Sequence, residues 1–149
     1  DSFYFLNGHG GNIATVTAAF SEIYAESSLG RAGHNRPPLR CKLRNWWDLQ
    51  GVQSLSQELF GEAEGRHATC SEVSLTYYAY PEHVKHADMT PEIAPTGPIY
   101  AADDYRRRFP DGRIGSNPAL ASVAAGEQLF HAAIAELGED FKAFSAGAD

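Results

Sequence analysis

Cysteine and methionine are nearly missing from this sequence: two cysteines and one methionine in 149 residues. Two thiols build no disulfide framework, so the sequence reads as a protein of a reducing compartment, and the cytoplasm is the expected location. Long apolar runs are also missing. None approaches the roughly 20 residues that span a bilayer, and no secretory signal pattern is present, so no membrane partner is expected. Positive charge is scarce too, with 12 Lys and Arg against 19 Asp and Glu and a formal net charge of −7. Phosphate backbones attract basic footprints, so nucleic acid is excluded as a partner. The one basic cluster, Arg106-Arg107-Arg108, follows Asp103 and Asp104 and reads as a solvated mixed-charge surface.

Glycine and histidine stand where chemistry could follow. Phe3-Tyr4-Phe5-Leu6 reads as a buried strand, and Ile13, Val16, Phe20 and Ile23 are spaced as one face of a helix. Asn7-Gly8-His9-Gly10-Gly11-Asn12 lies between them. In open α/β sheets such a turn, at the carboxyl end of a strand, is where ligands bind. The segment lacks the Gly-Lys-Ser/Thr ending of a P-loop, and Ile13 stands where a dinucleotide fingerprint needs its third glycine. Both nucleotide readings weaken. His9 is then either a structural hydrogen-bonding residue or a ligand for a metal or a proton.

The pattern along the chain is regular up to about residue 80. A strand at Tyr4–Asn7, a helix at Asn12–Glu26, a strand at Leu39–Trp46 and helices at Val52–Phe60 and Glu72–Tyr80 resemble a βαβ crossover with added helices. The expected fold is α/β, a mainly parallel sheet covered by helices, in one domain over residues 1–149. From residue 82 to 117 periodicity fades and prolines accumulate, which reads as a long irregular excursion. Ser122 then caps a final helix whose Leu129, Phe130, Ala133, Ile134, Leu137, Phe141 and Phe144 form a core stripe, with His131 facing solvent. Cys41 alternates with Leu39 and Leu43 and is expected to be buried. Trp46 and Trp47 finish the second strand and point to opposite faces, so at most one of them faces a site at the strand end.

A second constellation follows the charged loop at residues 61–66. It runs His67-Ala68-Thr69-Cys70-Ser71-Glu72-Val73-Ser74, with Ser71 as the expected N-cap and Pro81 as the stop of a short helix. Glu72 falls in the first turn, where the helix dipole favours its ionised form. By itself Glu72 could simply complement that dipole, and His67 could be a loop residue. A nucleophilic pair of Cys70 with His67 is conceivable, yet no third, orienting residue is evident.

Taken together, these segments resemble the creatininase (creatinine amidohydrolase) family. Its members carry an Asn-Gly-His turn, matched by residues 7–12, and a later His-Ala-Gly-x-x-Glu-Thr-Ser stretch, matched by residues 67–74. A third match is Gly112-Arg113-Ile114-Gly115-Ser116-Asn117-Pro118-Ala119-Leu120-Ala121-Ser122, similar to the family's Gly-Asp-Pro-x-x-Ala-Thr/Ser segment before its last helix. The resemblance implies a three-layer fold and a metal-dependent amidohydrolase acting on a cyclic or formyl-type C–N amide bond through a metal-activated water. His9 and Glu72 would be ligands to a divalent transition metal, Zn, Mn or Fe, two ions per complete site. They should meet at the carboxyl edge of the sheet. His67 would line the same cavity and carry the proton to the leaving nitrogen. Gly10, Gly11, Asn12, Trp46 and Trp47 are the candidate contacts to a small-molecule amide substrate.

The sequence departs from the family in informative places. Thr69 replaces a glycine and Val73 a threonine, neither of which alters the spacing of His67 and Glu72. Gly11 stands where creatininase proper carries a glutamate that binds metal, which puts creatinine itself in doubt as the substrate. Relatives with Gly-Gly at this place draw a carboxylate from the position of Glu72 instead. Family members are also longer and carry a Glu-x-His pair and an Asp ahead of the first match. The sequence is therefore read as a carboxyl-terminal portion, incomplete at the amino end, whose partner is the missing segment or another chain, within a homo-oligomer. The alternative function is a non-catalytic ligand-binding or assembly module of the same fold, since two candidate ligands are fewer than the three of a typical catalytic zinc site.

Overall fold

The computed structural model describes residues 1–30 and 39–147. They form two units, Asp1–Leu49 with Ala135–Asp149, and Gln50–Ile134.

The first unit is built on a two-stranded parallel sheet. Strand β1 (Ser2–Asn7) leads into helix α1 (Asn12–Ser28) and strand β2 (Arg40–Asn45), with Ser2 opposite Arg40 and Asn7 opposite Asn45. Helix α1 lies on one face, where Phe5 and Phe20 stack with ring centroids 5.4 Å apart. Its half-buried positions are Ile13, Val16, Phe20 and Ile23, the face expected from their spacing. The other face takes the end of helix α5 (Val123–Ala146). Tyr4 packs edge-on against Phe141 at 5.4 Å and donates its hydroxyl to Asp140 at 2.7 Å. Arg44 and Lys42 reach the same carboxylate at 2.9 and 3.2 Å. Helix, sheet and helix thus give three layers, a small α/β arrangement with a parallel sheet.

Two expectations need correction in this unit. Strand β1 is not buried as expected: Phe3, Phe5 and Leu6 are 47%, 43% and 59% exposed, Tyr4 is half-buried and Asn7 alone is buried. Two strands and two helices supply too little surface to enclose them. Strand β2 ends at Asn45, so Trp46 and Trp47 do not finish it. They sit in a 3-10 turn, Trp46–Asp48, half-buried, with rings edge-on at 6.0 Å, and strand alternation does not govern where they point. Cys41 is likewise half-buried rather than buried.

The second unit is helical. Helices α2 (Gln50–Phe60), α3 (Cys70–Ala79) and α4 (Ala102–Arg108) precede the start of α5, around a core that includes Val52, Phe60, Cys70, Phe109, Ile114 and Leu129. Helices α3 and α5 cross at bare backbone: a Cβ on Gly126 would lie 2.0 Å from the Ser74 carbonyl oxygen. Ser122 caps α5 as expected, its hydroxyl accepting the Ala125 amide at 3.1 Å. The apolar stripe of α5 is only partly core. Leu129, Ala133 and Phe144 are buried, whereas Phe130, Ile134 and Phe141 are 40%, 51% and 51% exposed.

Arg113 organises the stretch before α5. Buried at 4% exposure, its guanidinium donates to the Pro91, Glu92 and Ser116 carbonyls and to the Asp111 carboxylate. The Arg113 hydrogen bond holds the Asp111 carboxyl below its usual range, against the opposing effect of desolvation. Arg106, Arg107 and Arg108 pair with Asp103 and Asp104 along α4 as an exposed mixed-charge face. Among the described residues, no helix is long and apolar enough to cross a membrane.

Candidate active-site elements

The turn after β1 is organised by a buried asparagine. Asn7, 5% exposed, accepts the His9 amide at 3.1 Å through Oδ1 and donates through Nδ2 to the His9 carbonyl at 2.9 Å. The same Nδ2 reaches Asn45 Oδ1 at 2.7 Å, which ties together the carboxyl ends of both strands. Asn12 donates to Asn7 Oδ1 at 3.1 Å, and the Asn12 amide bonds the His9 carbonyl as α1 begins. The backbone of His9 is therefore fixed on both sides while its side chain stays exposed. Asn7 and Asn45 were not singled out as site residues; an asparagine ending each of two paired strands was the available signal.

None of Gly8, Gly10 and Gly11 adopts the left-handed conformation, and a Cβ on Gly8 or Gly10 would meet nothing within 4 Å. Gly11 matters for space alone. It is the N-cap of α1 with φ −62°, and a Cβ there would stand 2.8 Å from His9 Nε2.

His67 lies in the second unit, on a loop clamped from below by the third sequence motif. Its carbonyl accepts the Ile114 amide at 3.3 Å and the Ser116 hydroxyl at 2.7 Å, and the Arg66 amide bonds the Ile114 carbonyl at 2.8 Å. Gly65, at φ +73°, touches Ser116 backbone to backbone, where a Cβ would fall 2.5 Å from the Ser116 nitrogen. Residues 113–117 are all buried, yet the His67 side chain is exposed. Ala68 follows at φ +52°, a conformation that costs a non-glycine residue about 1–2 kcal/mol.

The N-cap of α3 is Thr69, not Ser71. Thr69 Oγ1 accepts the Glu72 amide at 3.1 Å and Glu72 Oε2 accepts the Thr69 amide at 3.2 Å, a reciprocal capping box. Among the described residues, Glu72 Oε2 accepts both the Thr69 amide and the Thr69 hydroxyl. Ser71 instead binds the Glu64 carboxylate through its amide at 3.1 Å and through a short hydroxyl contact. Burial raises the Glu64 carboxyl above its ordinary value, with the Ser71 hydrogen bonds opposing. Glu64 escaped the sequence reading because it returns to α3 only through the turn at Gly65.

Cys70 is no nucleophile. It is fully buried, its Sγ lies 3.1 and 3.0 Å from the Ala63 and Asn117 carbonyl oxygens, and burial, helped by the charge of Glu64, pushes the thiol up to about 11. A thiol at that value carries almost no thiolate at neutral pH.

The structure thus places His9, Gly10, Gly11, Asn12, Trp46 and Trp47 in the first unit, and in the second His67 on the loop before α3 and Glu72 in the first turn of that helix. An imidazole and a carboxylate are donor types that suit a divalent transition metal. Their number falls short. Among the described residues, no group of three or more His, Cys, Asp or Glu side chains could hold a metal ion.

The sequence profile of the family described as creatininase, creatinine amidohydrolase, matches residues 1–141. No curated protein sequence matches the chain. Among solved structures, it is similar to a Type II creatininase with a tryptophan-to-phenylalanine substitution, at TM-score 0.67 and 21% identity, covering 93% of this chain and 55% of that one. A second tryptophan-to-phenylalanine creatininase gives TM-score 0.65 and 22% identity, covering 93% and 54%. A glutamate-to-glutamine creatininase complexed with creatine gives 0.65 and 21%, covering 95% and 56%. The chain spans about 55% of the length of the structures it matches.

Proposed function

This chain belongs to the creatinine amidohydrolase family, and from that premise we propose that it carries part of the active site of a metal-dependent amidohydrolase. The substrate class is a small molecule with a cyclic or formyl-type C–N amide bond. The observation that carries this reading is His67, an exposed imidazole on a backbone anchored by the buried residues 113–117. Imidazole titrates near neutrality and suits proton transfer. Water adds to the amide carbonyl carbon, the C–N bond breaks, and the proton released by the water passes through His67 to the departing nitrogen.

His9 and Glu72 are each proposed as a donor to a divalent Zn, Mn or Fe ion, with further ligands from outside the described residues. Such an ion, when bound, supplies a water acidic enough to attack at neutral pH. Gly10, Gly11, Asn12, Trp46 and Trp47 are proposed as substrate contacts. A similar creatininase structure is complexed with creatine, which supports a small-molecule ligand. Exposed Phe3, Phe5 and Leu6 support a covering chain or segment, and homo-oligomer formation is proposed with it.

Metal analysis and kinetics of the full-length protein test the reading. His67→Ala should lower kcat by about 100-fold or more while metal content stays unchanged. Loss of metal in that variant would make His67 a ligand and end its proton role. Two candidate donors, with no group of three among the described residues, favour one competing reading, a non-catalytic ligand-binding or assembly module, and a full-length protein without stoichiometric metal would strengthen it.

A further inference from the structure

We propose that Ser116 is a positioning residue for His67, the side chain through which the 112–117 segment sets the direction of the imidazole. This inference rests on the proton-carrying role of His67. The Ser116 hydroxyl is completely buried and donates to the His67 carbonyl at 2.7 Å. The Ile114 amide reaches the same oxygen at the longer distance of 3.3 Å. Ser116 therefore makes the tighter of two bonds that fix the plane of the peptide following His67.

That plane is where the chain is strained. Ala68, directly after the peptide, is held at φ +52° without the freedom of glycine. Such conformations persist only where the surroundings over-determine them. Three contacts do so here: the Ser116 hydroxyl, the Ile114 bridge, and the backbone of Gly65 pressed against Ser116. Ser116 is itself locked, because its carbonyl accepts both the Ala94 amide at 3.1 Å and the Arg113 guanidinium at 3.2 Å. The exposed His67 ring has no side-chain hydrogen bond of its own among the described residues. The backbone therefore fixes the point and direction from which the imidazole leaves the chain, and Ser116 is the side chain that holds that backbone.

The test uses the full-length protein with Ser116→Ala, Ser116→Cys and Ser116→Thr. Creatinine and an N-formylated amine serve as probe amides, and the His67 ring is followed by NMR. Expected are a kcat lowered roughly tenfold to a hundredfold in Ser116→Ala, a KM within about twofold of wild type, and altered His67 ring signals. Ser116→Thr, which keeps the donor, should restore both kcat and signals. Unchanged His67 signals in Ser116→Ala overturn the proposal, as does an equal loss with Ser116→Thr in folded protein. If Ser116→Ala does not fold, the near-isosteric Ser116→Cys takes its place under the same criteria, and failure of every variant to fold makes the hydroxyl purely structural. Altered ring signals with no activity on either amide, in wild type or variant, uphold the positioning role and count against the proton role alone.

Discussion

The ring of His9 occupies the space in which a side chain on Gly11 would begin. A Cβ at residue 11 would stand 2.8 Å from Nε2 and 3.1 Å from Cδ2 of that imidazole. Creatininase proper is similar at this turn but carries a glutamate at the corresponding place. Here the volume belongs to the histidine, so the identity of residue 11 and the placement of the His9 ring are a single choice.

Gly11→Ala should therefore move the ring and leave the fold alone. The blocking atom is the far end of a side chain, so the backbone need not shift. Metal affinity of the full-length protein should fall by roughly tenfold or more, with a melting temperature near wild type. Gly8→Ala and Gly10→Ala, which meet nothing within 4 Å, should bind metal normally. Equal occupancy in all three variants would remove His9 from the donor set.

Three other glycines should respond in opposite directions, and Gly65 adds the strain of φ +73° to its crowding. Gly65→Ala and Gly126→Ala place a Cβ 2.5 Å and 2.0 Å from main-chain atoms that cannot step aside. Each should cost about 3 kcal/mol or more in denaturant unfolding. Gly138→Ala, in open space on α5, should instead stabilise by up to about 1 kcal/mol.

The two thiols should differ sharply. Iodoacetamide at neutral pH should label half-buried Cys41 and leave Cys70 untouched until the protein unfolds. Because burial raises the folded Cys70 value to about 11, its contribution to stability is complete below the ordinary thiol value. It is lost as pH rises toward 11. Mass spectrometry of labelled peptides settles the first point, and alkaline unfolding of Cys70→Ala beside wild type the second.

Asp140→Asn should weaken the first unit by roughly 1.5–3 kcal/mol, the scale of hydrogen bonds to charged groups. Desolvation pushes this carboxyl up. The Tyr4 hydroxyl, the Lys42 hydrogen bond and the charges of Arg44 and Lys42 together outweigh it, and the net shift is downward. A depressed carboxyl stabilises fully above its unfolded value and loses that contribution as pH falls through its folded value. Acid unfolding should therefore begin at higher pH in Tyr4→Phe, which lacks the hydroxyl donor.

What could be read from the sequence was whatever depends on near neighbours. The spacing of Ile13, Val16, Phe20 and Ile23 gave the inner face of α1, and Ser122 marked the start of α5. Thr69-x-x-Glu72 spells a capping box, so the cap at Thr69 was there to be found beside the more obvious Ser71. Exposure of Phe3, Phe5 and Leu6 was not available, because alternation tells which residues share a face and not whether anything covers it. The role of Ser116 beneath His67 was also hidden. It arises from a contact across 49 residues that spacing does not encode.

Tyr24 gives the small sheet a direction. Its hydroxyl accepts the Cys41 amide at 2.8 Å and donates to the Cys41 carbonyl at 3.3 Å, on the side of β2 turned away from β1. A parallel strand alternates its polar groups between its two edges, and one side chain has saturated both groups of a residue on this one. Another strand arriving there would have to displace the phenol before forming its first pair of bonds. At Cys41, the phenol rather than a neighbouring strand completes the hydrogen bonding of β2.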